Sequence, residues 1–253
     1  MEIYTSFVSN VLFPAHEWLK GHTTLMVRRH MEETQWWSAR QLASLQVQRL
    51  QALLTDIGTN VPYYHDLFAQ RGFDPTNVSD LADLRRLPFL TKSLIRANTD
   101  AMKHTFAAGL RRSNTGGSSG EPLVFVIGSE RVSHDVAAKW RATRWWGVDI
   151  GDPEIVLWGS PIELGVQDRV RLVRDKLMRT ELLPAFEMSV QKLDQFVVAI
   201  EASRPKMLFG YPSAISLVAR HAERAGKVMN NLGIKVVFVT AEMLYEDQRA
   251  TIS

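Results

Sequence analysis

Apolar positions recur at two different periods along this chain, and the change between them falls near residue 105. Before it the spacing is helical. Leu42, Leu45, Leu50, Leu53, Leu54 and Ile57 follow one another at helix-like intervals, behind Ser38 and Gln41, whose three-residue separation makes a capping box. That helix is expected to end near Gly58. Pro62-Tyr63-Tyr64 and Asp74-Pro75 punctuate the next stretch, and Thr91 is placed to cap a short helix through Ile95. Packing is the role expected of Trp36-Trp37 and of the tyrosine pair.

After residue 105, short runs of branched and aromatic residues alternate with longer amphipathic stretches. Strands are predicted over 123–127, 154–158, 207–209 and 235–240. Helices are predicted over 129–146, ending at Gly147, and over 167–179, 190–202 and 212–225. The fold class is therefore α/β: a helical N-terminal segment, residues 1–104, followed by a predominantly parallel or mixed sheet covered by helices, residues 105–253. The last stretch, 246–253, opens like a helix with Glu246 and Asp247 but shows no cap or closing glycine. It reads as an α/β unit cut in its middle; a naturally frayed helix end fits the same residues.

Composition narrows the class. With 253 residues, 45% hydrophobic and 23% charged, the chain is globular, and its apolar runs fall far short of the ~20 residues that cross a bilayer. The start, Met1-Glu2-Ile3, lacks the basic region of a signal peptide, and the absence of cysteine removes disulfides and thiolate ligands; a cytoplasmic location is expected. The 30 Lys+Arg against 27 Asp+Glu give +3, too little for a nucleic-acid binder. By segment, however, residues 103–144 hold Lys103, Arg111, Arg112, Arg131, Lys139, Arg141 and Arg144 against only Glu121, Glu130 and Asp135. This excess surrounds a glycine-rich stretch.

That stretch, Ser113-Asn114-Thr115-Gly116-Gly117-Ser118-Ser119-Gly120-Glu121-Pro122, is the strongest local signal. Glycines let successive N–H groups turn inward as an anion nest, and Thr and Ser hydroxyls add donors for phosphate oxygens. No Gly-Lys-Ser/Thr follows, so it is not a Walker loop, and it leads into a strand rather than a helix, so it is not a dinucleotide fingerprint. A hairpin turn built from Gly and Ser fits the composition about as well as a phosphate loop. None of the seven histidines pairs at helical spacing around a glutamate, and no Gly-x-Ser-x-Gly elbow occurs, which argues against a zinc or serine hydrolase. Arg169, Arg171, Arg174, Lys176 and Arg179 with Val170, Val173 and Leu177 form a basic amphipathic helix, read as a solvated face and, in second place, as a docking face for CoA or an acyl carrier protein.

The loop 115–122 resembles the ATP-phosphate loop of adenylate-forming enzymes. Val61-Pro62-Tyr63-Tyr64, Leu87-Pro88-Phe89-Leu90-Thr91-Lys92, Phe209-Gly210-Tyr211-Pro212-Ser213 and Thr240-Ala241-Glu242 occur in the order seen in the phenylacetate–CoA ligase family. Trp36-Trp37 and Leu157-Trp158-Gly159-Ser160-Pro161 are similar to its CapK-like branch, associated with capsular polysaccharide synthesis. The resemblance runs from about residue 12 to 253. It implies the large N-terminal domain of such an enzyme, incomplete here, and a ligase that activates a small carboxylic acid with ATP and Mg²⁺, then passes the acyl group to a thiol, commonly coenzyme A.

The same resemblance assigns residues. Thr115, Gly116, Gly117, Ser118, Ser119 and Gly120 would hold the ATP phosphates; Ala241 and Glu242 would line the adenine pocket; Trp158, Gly210, Tyr211 and Pro212 would border the acyl group. Two positions depart from the family pattern. Glu121 stands where a lysine is common, with Arg111 or Arg112 placed to compensate, and Met243 stands where a proline is common, which argues against phenylacetate as the acid. Family members carry their acidic Mg²⁺ ligand, ribose-binding aspartate and catalytic lysine in segments with no counterpart among these 253 residues, so the chain alone is expected not to complete the reaction. A non-catalytic scaffold that kept the fold to bind a nucleotide or partner is the other class considered.

Overall fold

The computed structural model describes residues 2–107, 109–115, 122–159 and 169–253, apart from the side chains of 169–171. The chain forms two compact units, residues 21–138 and residues 1–20 with 139–253.

Residues 21–138 begin with helices. Ser38 accepts from the Gln41 amide while Gln41 reaches back to the Ser38 N–H, and this capping box opens the helix Ala39–Asn60. The helix stops because Val61 is forced extended ahead of Pro62, and Pro62, which has no N–H to lose, starts the helix Pro62–Arg71. Leu54, Phe68, Phe73 and Val78 form the buried cluster between these elements. Thr91 caps Lys92–Ala97 through the Leu94 amide. The unit's two strands, β1 (Arg111–Asn114) and β2 (Val124–Ile127), pair antiparallel, with Arg112 opposite Val126 and Asn114 opposite Val124.

In the other unit, β3 (Glu154–Trp158), β4 (Thr180–Pro184), β5 (Met207–Gly210) and β6 (Val236–Val239) form a parallel sheet in the order β4-β3-β5-β6. Alternation along β3 buries Ile155 and Leu157 against the helices Val190–Ser203 and Pro212–Arg224, where Phe196, Val197, Ile200, Ile215 and Val218 complete the core. Each such side chain contributes about 1.5–3 kcal/mol through burial. Glu154, Val156 and Trp158 alternate to the opposite face.

Helical backbone at the start of the chain runs from Ile3 to Leu19 with one π-helical segment, Val8–Leu12, immediately before Pro14 enters the ladder without an N–H. It is anchored by a buried charge. Asp152 accepts from Thr5 Oγ1 at 2.7 Å, from Lys206 Nζ at 2.6 Å and from the Asp149 amide at 3.0 Å. Beside it Gly151 takes a left-handed φ of +94°, and a Cβ there would lie 2.6 Å from Val8 Cβ. Among the described residues no helix is long and apolar enough to cross a membrane.

Two strands went unpredicted. Arg111–Asn114 has no apolar alternation, and Thr180–Pro184 ends in a proline, tolerated because β4 lies at the edge of the sheet.

Candidate functional site

The glycine-rich stretch is the connection of a β-hairpin whose neck is fastened by one residue. Beyond the last strand pair, Thr115 N–H donates to the Leu123 carbonyl at 3.0 Å, and Leu123 N–H donates back to Thr115 Oγ1 at 3.0 Å. Leu123 is buried and holds the returning chain in place. The threonine oxygen is thereby engaged as an acceptor, while its O–H remains able to donate. Gly116, Gly117, Ser118, Ser119, Gly120 and Glu121 lie outside the described residues, as do Ser160 and Pro161 and the start of the basic helix.

In the other unit, parallel strands bring their carboxyl ends to one edge of the sheet, where the turns after β3, β5 and β6 adjoin. A Cβ on Gly210 would sit 2.2 Å from the Leu157 carbonyl oxygen, so no other residue fits without moving the strands apart. Tyr211 N–H points to that same carbonyl at 3.4 Å, and Thr240 N–H donates to the Gly210 carbonyl at 3.1 Å. Three strand ends are thus laced by backbone hydrogen bonds.

Side chains add a second layer. The Trp158 and Tyr211 rings stack with centroids 4.4 Å apart and planes 15° from parallel, and Phe209 lies 6.0 Å from Trp158. Lys139 Nζ sits 4.8 Å over Phe209 and is paired with Glu154 at 3.0 Å. Pro212 opens the helix Pro212–Arg224, whose Ser213 N–H has no partner within the helix. Glu242 Oε2 accepts from it at 3.2 Å. Between Thr240 and Glu242, both tied to the β5 turn, Ala241 is held at a φ of +67°, in the left-handed region that an alanine enters at a cost of about 1–2 kcal/mol.

Of the sequence-predicted residues, Trp158 packs against the turn Gly210-Tyr211-Pro212, Glu242 is hydrogen-bonded to the helix start that follows it, and Ala241 lies between Thr240 and Glu242, the two residues bonded there. The Leu157 carbonyl, Phe209, Lys139 and the Ser213 amide were not anticipated. Only Pro-Ser at a helix start hinted at the last. What the edge offers chemically is rigid backbone polar groups beside a flat aromatic pair, the composition of a small-molecule pocket. Among the described residues no three His, Asp or Glu side chains are grouped as metal ligands.

No family model matches the chain. CapK of Staphylococcus aureus is 24% identical over 216 residues, covering 83% of this chain and 47% of that protein. The phenylacetate–coenzyme A ligase of Aromatoleum evansii is 26% identical over 219 residues, 85% of this chain and 48% of that enzyme. The chain therefore spans about half the length of these relatives. In fold it is similar to 2-hydroxyisobutyryl-CoA ligase, with a TM-score of 0.66 and 20% identity over 85% of this chain and 47% of that one, in the postadenylation state with its adenylate bound. The same enzyme with adenylate and CoA, in the thioesterification state, gives 0.63 and 21% over 81% and 44%. Motif order, sequence similarity and fold point the same way: the chain is similar in sequence to CapK and to phenylacetate–coenzyme A ligases, and in fold to a CoA ligase.

Proposed function

We propose that this chain carries the phosphate-holding hairpin and part of the nucleotide pocket of an ATP-dependent carboxylate ligase. The carrying observation is its kinship, over 85% of its length, to a CoA ligase. The strand-end turns named above support it.

In the reaction proposed, a carboxylate oxygen attacks the α-phosphorus of ATP, the bond to the bridging oxygen breaks, and acyl-AMP and pyrophosphate form. A thiol, CoA in this proposal, then attacks the acyl carbon and AMP leaves. As negative charge moves onto pyrophosphate, donors of the glycine-rich sequence 116–120 and the Thr115 hydroxyl stabilise it in this proposal. Magnesium, when bound, offsets the same charge. Ala241 and the adjoining backbone line the adenine. The Trp158–Tyr211 stack, held by Gly210 and Pro212, forms a flat wall for the acyl group. With both rings packed face to face, that wall suits a small or flat acid.

Binding of a non-hydrolysable acyl-sulfamoyl adenosine to the 253-residue chain tests this reading. Calorimetry is expected to show saturable binding that Gly117→Val removes. Absence of binding across sulfamates of several small acids would overturn it.

A further inference from the structure

The two edges of the parallel sheet are built differently. β4 carries Glu181 and ends in Pro184, features that discourage a further strand. β6, at the other edge, is Val236-Val237-Phe238-Val239, with no charge, proline or bulge within it and alternate backbone N–H and C=O groups turned away from β5. Beside it lies a cavity of about 500 Å³, lined by Val237 and Val239 of β6, by Ile252, and by Leu157, Ile215 and Val218, none of these last three more than 3% exposed. Core side chains that border open space forfeit the dispersion contacts a packed interior makes. An apolar segment laid along β6 would restore them.

Chain direction says where such a segment comes from. The helix Glu246–Ile252 follows β6 and lies on the same face of the sheet as the helix before it: Arg220 of Pro212–Arg224 bonds to Asp247 at 2.6 Å, and Ile252 packs on the core. Parallel strands joined through a helix are almost always linked by a right-handed crossover. Pro212–Arg224 takes the chain from β5 to β6. A helix on the same face, with the same hand, carries it one place further, to the free side of β6. The chain spans about half the length of CapK and of the phenylacetate–coenzyme A ligase it matches. We propose that β6 is an internal strand of the working protein: the polypeptide that follows the helix Glu246–Ile252 adds a parallel strand along Val236–Val239 and fills the cavity with alternate apolar side chains. The inference rests on the sheet and not on the ligase chemistry.

The cysteine-free sequence lets a single thiol be placed at will. Ala219→Cys and Thr251→Cys put it in the cavity wall, and Ala250→Cys puts it at an exposed position of the helix Glu246–Ile252. Alkylation is timed in the 253-residue chain and in the full-length native protein. Both cavity thiols are expected to react readily in the 253-residue chain and about a hundredfold more slowly in the full-length protein, where reaction waits on local opening, while Ala250→Cys reacts alike in both. Hydrogen exchange on the same two proteins reads the pairing itself: those amides of Val236–Val239 that point away from β5 should gain protection only in the longer one. Cavity thiols equally reactive in both proteins, or protected with no gain at those amides, would overturn the proposal. Protection in the 253-residue chain that rises with its concentration would also overturn it, by marking a second copy as the occupant. Strand protection in a protein that shows no acid-dependent exchange of pyrophosphate into ATP would remove the ligase reading and leave the strand seat standing.

Discussion

The carboxylate of Glu242 accepts the Ser213 N–H at 3.2 Å, joining the turn after β6 to the first turn of the helix that follows β5. Twenty-nine residues separate the pair in sequence, and the parallel crossover brings them together. The bond satisfies an orphan helix donor and places negative charge at the positive end of the helix dipole. It also secures one side of Ala241 in its left-handed conformation.

Glu242→Ala is therefore expected to cost about 1 kcal/mol of stability, the range of a lost helix cap, and to weaken nucleotide binding by loosening Ala241. Glu242→Gln keeps the acceptor and should lose less of both. Urea unfolding and nucleotide titration of the two variants check this; equal nucleotide affinity in all three proteins would show that Glu242 acts on stability alone.

Gly210→Ala tests the close approach of β5 to β3. The added methyl would meet the Leu157 carbonyl oxygen at 2.2 Å, and backbone cannot rotate aside as a side chain can. We expect destabilisation of about 3 kcal/mol or more, at the upper end of overpacking costs, read as a lower urea midpoint with the slope retained.

Much of this framework is legible in sequence, and what escapes has a physical cause. Ser38 and Thr91 declare their helices because capping is local, and Glu154–Trp158 and Val236–Val239 declare themselves because apolar runs fill a buried parallel sheet. Arg111–Asn114 does not, since its four polar residues gain their strand from pairing with Val124–Ile127. At the site, Gly210-Tyr211-Pro212 reads as a strand-to-helix turn. The Glu242–Ser213 bond depends on topology, which no local pattern encodes.

Acid should loosen the N-terminal helix before the rest of its unit. Burial pushes the Asp152 carboxyl upward, but hydrogen bonds from Lys206, the Asp149 amide and Thr5 outweigh it and hold the group below the ordinary carboxylate range. A depressed carboxylate contributes stability that is present above its unfolded value, about 4, and is lost as pH falls through the lower folded value. Burial likewise pulls the Lys206 ammonium down, while Asp152 and Glu2 prevail and raise it. Its contribution is complete below the ordinary lysine value and is lost as pH climbs past the raised one. Asp152→Asn should therefore flatten the acid limb of the stability curve and cost about 1.5–3 kcal/mol at neutral pH, the range of a hydrogen bond to a charged group, since Lys206 keeps Glu2 as a partner. Denaturant midpoints between pH 3 and 8 check both the slope and the offset.

Acid-dependent exchange of labelled pyrophosphate into ATP, measured on the full-length native protein across a panel of small carboxylic acids, tests the ligase function most directly. Exchange that requires both the acid and ATP, and that falls sharply with Gly117→Val, is the predicted result. A protein that binds ATP yet shows no exchange with any acid in the panel would contradict it.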